Sequence, residues 1–545
     1  MYCDTPQVNQ LTSLLIAHGI HDIVVCPGSR NATIVHNLHE ANEAFTLHPV
    51  TDERSAAFVA LGITLSTLAP VAVCVTSGSA LLNCIPAVAE AYYRHLPLLV
   101  ISADRPACWT GQLDGQTIPQ PEALHPYCRT YSIGTVHSDE ERWFNNRQIN
   151  EAILSLQSFG GHPAHLNVHI AEPMFSFATP QLPEERAIHR LQTHQSCTIP
   201  DHLVQMIAQA RWPVLLVGQY ERGDIRKEVT DLIRGEQLTV LSEIISDVPG
   251  NDLLEAFDDW SRLSPECVPC PDVVIQIGGN FIHKAFKRTL RQHDSRVIRI
   301  GQDEQMPDTF CHLHTWITGP VQPALRQLAE MLPRDHTGVR TGNERLYKRI
   351  PHSLCQDAPA LPQASWNISS ALLSLRTALE GLSEPFTLHL ANSTAVRAAG
   401  RVFRSGTFPV FCNRGTNGIE GTLSTAVGYS LKMWGLNLVV IGDLSFFYDA
   451  NALWNTRLPD NVRILLLNNG HGGIFDHLPG LEASPARDEF VAAGHQHFSA
   501  EGIAHSFHVN YFSAHCPDEL ARSIRPWLQP AERAGILELF FSETN

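Results

Sequence analysis

Asp443 and Asn469 are the residues whose types and setting suggest chemistry first. The stretch GDLSFFYDANALWN (442–455) follows the apolar run LNLVVI, and NNG (468–470) closes the run RILLLNNG. Both therefore sit at the tips of buried strands, and ligands of open parallel sheets bind at the carboxyl ends of strands. A carboxylate and an amide oxygen from neighbouring tips are hard ligands suited to Mg²⁺, whose shell is completed by water and phosphate oxygens. Gly442 lets the backbone pass close to a phosphate, and a helix beginning near Asp449 would offer its N-terminal amides to that anion. Taken singly, GD can merely end a strand and NN cap the next. The 24 residues between them, 444–467, make a joint metal–diphosphate site the better reading.

Such tips need parallel sheets to carry them. In the first block, DIVVCPGSR, VAVCVTSGSA, LLVISA and HLNVHIAEP read as buried strands, with a helix across LLNCIPAVAEAYYRH. A polar, Pro-punctuated stretch follows at about 171–200. Four short apolar strands, PVLLVGQ, LTVLSEI, DVVIQIGG and SRVIRIG, mark a second block, and a second irregular stretch runs from about 333 to 365. The third block carries FTLHLANS, GTFPVFCN, LNLVVIGD, VRILLLNNG and GILELFFSE. Strands alternating with helices predict an α/β protein of doubly wound parallel sheets. The expected domains are 1–175, 200–335 and 365–545, in keeping with 545 residues, more than one core supports.

Composition limits the function further. The formal charge is −16, and no cluster of Lys or Arg rises above a mixed surface, which argues against nucleic acid as a partner. No apolar run is long enough to cross a bilayer, and the start, MYCDTPQVNQ, lacks the blocks of a signal peptide, so a cytoplasmic setting is expected. The 13 cysteines follow no framework spacing and read as reduced thiols. Cys267 and Cys270 form a lone CxxC without a complete second ligand pair, which disfavours zinc.

GD followed by NN after this gap resembles the thiamin diphosphate (ThDP) signature, although Leu444 stands where many members have Gly. Ser445, Tyr448, Asp449, Asn451, Ala452 and Leu453 narrow the resemblance to the 2-succinyl-5-enolpyruvyl-6-hydroxy-3-cyclohexene-1-carboxylate (SEPHCHC) synthase family of menaquinone biosynthesis. CPGSRNATI (26–34), TDERSAAFVALG (51–62), TSGSA (76–80), SADRP (102–106), GQTIPQ (115–120), NSTAVR (392–397), CNRGTNGIEGTLSTAVG (412–428) and NNGHGGIF (468–475) carry the same resemblance. It covers nearly all of the first and third blocks and is weaker in the middle. It implies three domains of the ThDP-dependent decarboxylase type, with ThDP and Mg²⁺, or Mn²⁺, as cofactors. It also implies a homodimer or dimer of dimers, because the pyrimidine-side glutamate acts on cofactor held by the partner chain.

By this resemblance Glu53 is the catalytic acid that hydrogen-bonds the aminopyrimidine N1′. A plain helix-terminal contact is the alternative reading of an acid at that place. Ser77 and Gly78 approach the pyrimidine, and Ile419 is either core or the apolar wedge beneath the cofactor. Gly442, Asp443, Leu444, Ser445, Asn469, Gly472 and Ile474 complete the cofactor set, and Asp443, Asn469 and the backbone carbonyl of His471 bind the metal. The implied reaction decarboxylates 2-oxoglutarate and adds the succinyl-semialdehyde carbanion to isochorismate, releasing CO₂. Carboxylate-rich substrates call for arginine. Ser29, Arg30, Arg105, Gln116, Lys284, Ser393, Arg397 and Arg414 fall on the substrate positions. Ala285 stands where many relatives have Arg, so Lys287 or Arg288 reaches in from the next turn, or one contact is lost. Another ThDP-dependent 2-oxoacid decarboxylase or carboligase, and a noncatalytic protein of this fold, are the competing readings.

Overall fold

The structure, a computed structural model, describes residues 1–191, 197–221, 223–250, 270–349, 366–455, 457–478, 480–495 and 498–541. Cys267 lies outside these residues. Among the described residues there are three sheets, and every strand pairing within them is parallel.

The first sheet contains β1 (Asp22–Val25), β2 (Thr46–Pro49), β3 (Val71–Val75), β4 (Leu98–Asp104), β5 (Arg129–Ile133) and β6 (Ala164–His169), in the order β2-β1-β3-β4-β6-β5. The middle sheet contains β7 (Pro213–Val217), β8 (Thr239–Ser242), β9 (Val273–Ile277), β10 (Arg296–Gly301) and β11 (Leu313–Thr318), ordered β11-β10-β9-β7-β8. The third is built from β12 (Phe386–Leu390), β13 (Val410–Cys412), β14 (Leu436–Gly442), β15 (Val462–Asn468), β16 (Asn510–Ala514) and β17 (Gly535–Phe540), ordered β13-β12-β14-β15-β17-β16. Counted from its own first strand, the third sheet repeats the strand order of the first, so two of the three blocks share one topology. Helices on both faces bury the central strands, which is why VAVCV and RILLL read as unbroken apolar runs.

Four strands have no counterpart in the runs picked out from the sequence: β2, β5, β11 and β16. Each is at a sheet edge and only partly buried. The stretch 333–365, read as irregular, also carries a helix, Thr337–Arg349. It packs on the middle sheet, where Asn343 Oδ1 accepts the Thr239 hydroxyl at 2.7 Å.

The first and third blocks meet through two helices, Glu53–Thr67 and Thr422–Ser430. A Cβ at Gly62 would come within 2.0 Å of the Thr425 carbonyl oxygen, and one at Gly428 within 2.0 Å of that of Val59. Glycine at both positions is what allows the two backbones to touch. Their polar ends are fastened too. Arg54 Nη2 donates to the Tyr448 carbonyl at 2.6 Å with its guanidinium over the Tyr448 ring, and Asn451 Nδ2 donates to Asp52 Oδ2 at 2.7 Å. The segment carrying Glu53 is thereby tied to the segment that follows Asp443.

Candidate active site

A cavity of about 620 Å³ opens at the carboxyl ends of β12, β14 and β15 and is closed on one side by the middle block. Of the expected cofactor residues, Ile419, Gly442, Asp443, Leu444, Ser445, Asn469, Gly472 and Ile474 line it, together with His471. So do Lys284, Ser393, Arg397 and Arg414 of the expected substrate set. Ile419 is 38 % exposed, so it faces the cavity rather than the core. A Cβ at Gly442 would meet nothing within 4 Å, which leaves room against the backbone there.

Asp443 is buried at the first position of a short helix, Asp443–Tyr448. The helix thus begins at the carboxylate itself and not near Asp449. Asp449 is instead fully buried beneath it and accepts Ser424 N–H at 2.8 Å and the Ser424 hydroxyl at 2.7 Å. Burial pushes the Asp449 carboxyl up to about 6. Asp443 Oδ1 accepts Leu444 N–H at 2.7 Å and Oδ2 accepts Gly470 N–H at 2.8 Å, while His495 Nε2 lies 3.2 Å from Oδ2. Burial pushes the Asp443 carboxyl above its ordinary value, against the opposing pull of Leu444 N–H and His495. A desolvated carboxylate with lone pairs left after two backbone contacts is the kind of group that a divalent cation stabilises. The donor set therefore fits Mg²⁺. The His471 carbonyl accepts Gly473 N–H at 3.0 Å, and one lone pair of that oxygen remains for a metal.

The two asparagines of NNG part company. Asn468 turns into the core, where its amide donates to Glu538 Oε1 at 2.7 Å and to the Phe498 carbonyl at 2.8 Å. Only Asn469 lines the cavity. Glu538, fully buried on β17, also accepts the Ser499 hydroxyl at 2.9 Å, Ala500 N–H at 3.0 Å and the Tyr511 hydroxyl at 2.7 Å. One carboxylate thus fixes the NNG turn, the loop beside it and β16. Removing it strands several buried donors, each costing about 1–3 kcal/mol. Glu538→Ala is accordingly expected to lower the melting temperature by roughly 5–10 °C. A change within 1–2 °C by calorimetry would contradict this account.

Arg414 is buried and spans blocks. Its Nη1 donates to Asn392 Oδ1 at 3.1 Å and Nη2 to the Phe281 carbonyl at 3.3 Å, while Nε finds no partner among the described residues. Buried Glu90 of the first block caps the following turn by accepting Gly415 N–H at 2.9 Å and Thr416 N–H at 2.8 Å. Ser393 and Asn417, which also line the cavity, hold φ of +70° and +60°. Non-glycine residues kept there cost about 1–3 kcal/mol each and cluster where geometry is needed.

The middle block presents the helix Lys284–Gln292 end-on. Lys284 and Lys287, one turn apart, both line the cavity, whereas Arg288 does not. Lys287 Nζ donates to Asn280 Oδ1 at 3.1 Å, and burial lowers its amine from the ordinary value. Two cations in a helical first turn that holds no acid oppose the helix dipole, an arrangement that an anion in the cavity offsets. The carboxylate of Glu243 steadies this approach by accepting Ile282 N–H at 2.6 Å and His283 N–H at 2.9 Å. Lys287→Ala is expected to raise the KM of a carboxylate substrate about tenfold, with kcat little changed. Initial rates at varied substrate check this, and an unaltered KM would remove Lys287 from the site.

None of the expected first-block residues lines this cavity. Ser29, Arg30, Ser77, Gly78, Arg105 and Gln116 gather instead at the carboxyl ends of β1, β3 and β4. Gly78, at φ +79°, donates its N–H to Gln120 Oε1 at 2.7 Å, and a Cβ there would lie 3.1 Å from the Gln116 carbonyl oxygen. Glu53 opens its helix nearby, half-buried, with Oε2 accepting from Asn83 Nδ2 at 3.2 Å. A second cavity, of about 550 Å³, lies between residues 25–28, residues 49–51 and Trp454. The expected residues thus fall into two separate groups, and none of the first-block group lines either cavity. Buried His165 and His389 are pushed down to about 3 and 4 by desolvation, so both stay neutral and unsuited to acid–base work.

Residues 8–124 match the family model described as thiamine pyrophosphate enzyme, N-terminal TPP binding domain. Over the whole chain, curated relatives named 2-succinyl-5-enolpyruvyl-6-hydroxy-3-cyclohexene-1-carboxylate synthase include a Bacteroides fragilis protein, 40% identical across 100% of this chain and 98% of its own. Another, from Bacteroides thetaiotaomicron, is 39% identical over 100% of this chain and 97% of its own. The chain belongs to the SEPHCHC synthase family. A more distant member, from Cytophaga hutchinsonii, keeps 33% identity over 98% of this chain and 95% of its own. The likeness to these relatives spans the middle block too, where motif resemblance is weakest.

Residues that sequence reasoning missed include Asn280, Asn392 and Asn417, all lining the cavity, and the supports Glu243 and Glu538. Only the cavity-lining asparagines left a signal, as the flanks of GGNFIHK, LANSTAV and RGTNGIE. Among the described residues Cys270 joins no group of metal-ligating side chains, and no helix is long and apolar enough to cross a membrane.

Proposed function

We propose that this chain is a ThDP- and Mg²⁺-dependent SEPHCHC synthase that decarboxylates 2-oxoglutarate and joins the remaining four-carbon unit to isochorismate. The observation that carries the reading is one cavity holding Asp443 and Asn469 beside Lys284, Lys287, Arg397 and Arg414, in a chain related to named synthases over its full length. Asp443, Asn469 and the His471 carbonyl would hold Mg²⁺ or Mn²⁺, with Gly442, Leu444, Ser445, Gly472 and Ile474 around the cofactor and Ile419 beneath it. When bound, ThDP supplies the electron sink that decarboxylation and carbon–carbon bond formation need.

The chain's own residues do the rest. Glu53 holds a proton against N1′ of the aminopyrimidine, with Ser77 and Gly78 at the same ring. Arginines and lysines neutralise the carboxylates and, with polar neighbours, orient them: Arg397 and Arg414 with Ser393 from the third block, Lys284 and Lys287 from the middle, Arg30 and Arg105 with Ser29 and Gln116 from the first. Because the Glu53 half-site stands apart from the cavity, a homodimer in which each chain completes the other's site is the minimal active unit, and a dimer of dimers is compatible with it. The reading places the enzyme in the cytoplasm.

Purified protein given ThDP and Mg²⁺ tests it, with 2-oxoglutarate and isochorismate supplied separately and together and the product identified by mass. Consumption of both to give the succinylated cyclohexene is expected. Turnover of 2-oxoglutarate alone, indifferent to isochorismate, would overturn the acceptor and favour another ThDP-dependent decarboxylase.

A further inference from the structure

Glu172, three residues past the end of β6, meets both first-block arginines. Arg30 Nη2 donates to Glu172 Oε1 at 3.2 Å, and Arg105 Nη1 lies 3.7 Å from the same oxygen. The arginines do not rely on it for their placement. Arg30 is buried and donates Nη1 to the Ile170 carbonyl at 3.0 Å. Arg105 donates Nε to the Gly115 carbonyl at 3.3 Å and keeps Asp114 3.6 Å away. Glu172 is the loose member: its side chain is 67 % exposed, and among the described residues these two arginines are its only charged partners.

Two guanidiniums facing one carboxylate oxygen, Arg30 by a hydrogen bond and Arg105 by charge at 3.7 Å, mark a place suited to a carboxylate. We propose that Glu172 is an internal stand-in for a substrate carboxylate: it neutralises Arg30 and Arg105 while the site is empty, and the acceptor's carboxylate displaces it. This rests on the reading of Arg30 and Arg105 as substrate residues. The arginines stay in place on their backbone carbonyls, and Glu172 swings into water, where it is already mostly exposed. With the Glu172 side of the pair mostly in water, the pairing shifts an equilibrium by only a few-fold, so displacement is easy. An internal competitor lowers apparent affinity by the fraction of molecules in which the site is open. Glu172 thus keeps two clustered cations from capturing arbitrary anions and admits a ligand that offers a better-placed carboxylate.

The consequence has a distinctive sign. Removing an ordinary binding residue weakens binding, and removing a structural counterion loosens the arginines and does the same. Removing a stand-in strengthens it. The test compares holoenzyme, loaded with ThDP and Mg²⁺, of the natural sequence with Glu172→Gln and Glu172→Ala. Salicylate, a cyclic carboxylate, is titrated by calorimetry, and the KM for isochorismate is measured alongside. Both variants are expected to bind salicylate about three- to tenfold more tightly and to lower the KM by a similar factor, with kcat within about twofold. Arg30→Ala should abolish the salicylate binding. Unchanged or weaker binding in both Glu172 variants overturns the proposal, as does salicylate binding indifferent to Arg30→Ala. Natural enzyme that consumes 2-oxoglutarate but not isochorismate refutes the proposed acceptor instead, and the salicylate titration still decides the role of Glu172.

Discussion

Glu53→Gln is expected to slow turnover by at least about a hundredfold while ThDP remains bound, the range lost when a positioned acid–base group is removed. The local structure makes the substitution clean. Asp52 caps the helix by accepting Ser55 N–H at 3.0 Å, so Glu53 is not needed for that purpose. Its side-chain contact from Asn83 Nδ2, at 3.2 Å, can be kept by the glutamine amide oxygen. The backbone is pinned on either side of Glu53 by Asn451 to Asp52 and Arg54 to Tyr448, and further along by the glycine contacts at residues 62 and 428. What changes is the ionisable group alone. Cofactor retention after gel filtration, measured beside steady-state rates, separates lost chemistry from lost binding. A rate within a few-fold of the natural enzyme would take Glu53 out of the mechanism.

How much of this was legible in the sequence depends on burial. Strands covered on both faces announce themselves as unbroken apolar runs, and edge strands do not. β2, β5, β11 and β16 are edges whose residues are mostly exposed or half-covered, and the sequence holds no unbroken apolar run there. β8 and β13 are edges as well, yet they are almost wholly buried and were readable. The site divides in a similar way. Asp443 and Asn469 were visible because strand tips are predictable places and hard oxygen ligands are a recognisable pair. The fate of Asn468 was not, because its partner Glu538 lies 70 residues away and only the pairing of β15 with β17 brings them together. Lys287 and Arg288 both lie about one turn on from Lys284, so spacing alone could not choose between them; the fold turns the side bearing Lys287 to the cavity. Glu172 gave no sign at all, since it lies in a stretch of loop composition and gains meaning only beside Arg30 and Arg105.

Asp443→Asn is expected to weaken Mg²⁺ binding by roughly a hundredfold or more, since even residues behind a metal's ligands are worth ten- to a hundredfold. Two effects combine. The negative charge is lost, and the amide cannot replace both carboxylate oxygens: one accepts Leu444 N–H and the other Gly470 N–H, so an NH₂ group must face one of these donors. The NNG turn then shifts together with Asn469. Thermal unfolding with and without ThDP and Mg²⁺ reads this directly, because a ligand bound to the folded state raises the midpoint in proportion to its occupancy. The natural chain should be stabilised at Mg²⁺ concentrations that leave Asp443→Asn unmoved, and equal stabilisation of both would show that Asp443 holds no metal. The same variant tests the shared site. If Glu53 of one chain serves the cavity of the other, Glu53→Gln and Asp443→Asn chains, each inactive alone, form mixed dimers with one intact site out of two. Unfolding and refolding them together should then restore roughly a quarter of natural activity, since half of randomly assembled dimers are mixed. If each chain served its own cavity, every site in the mixture would carry one lesion, and no activity would return.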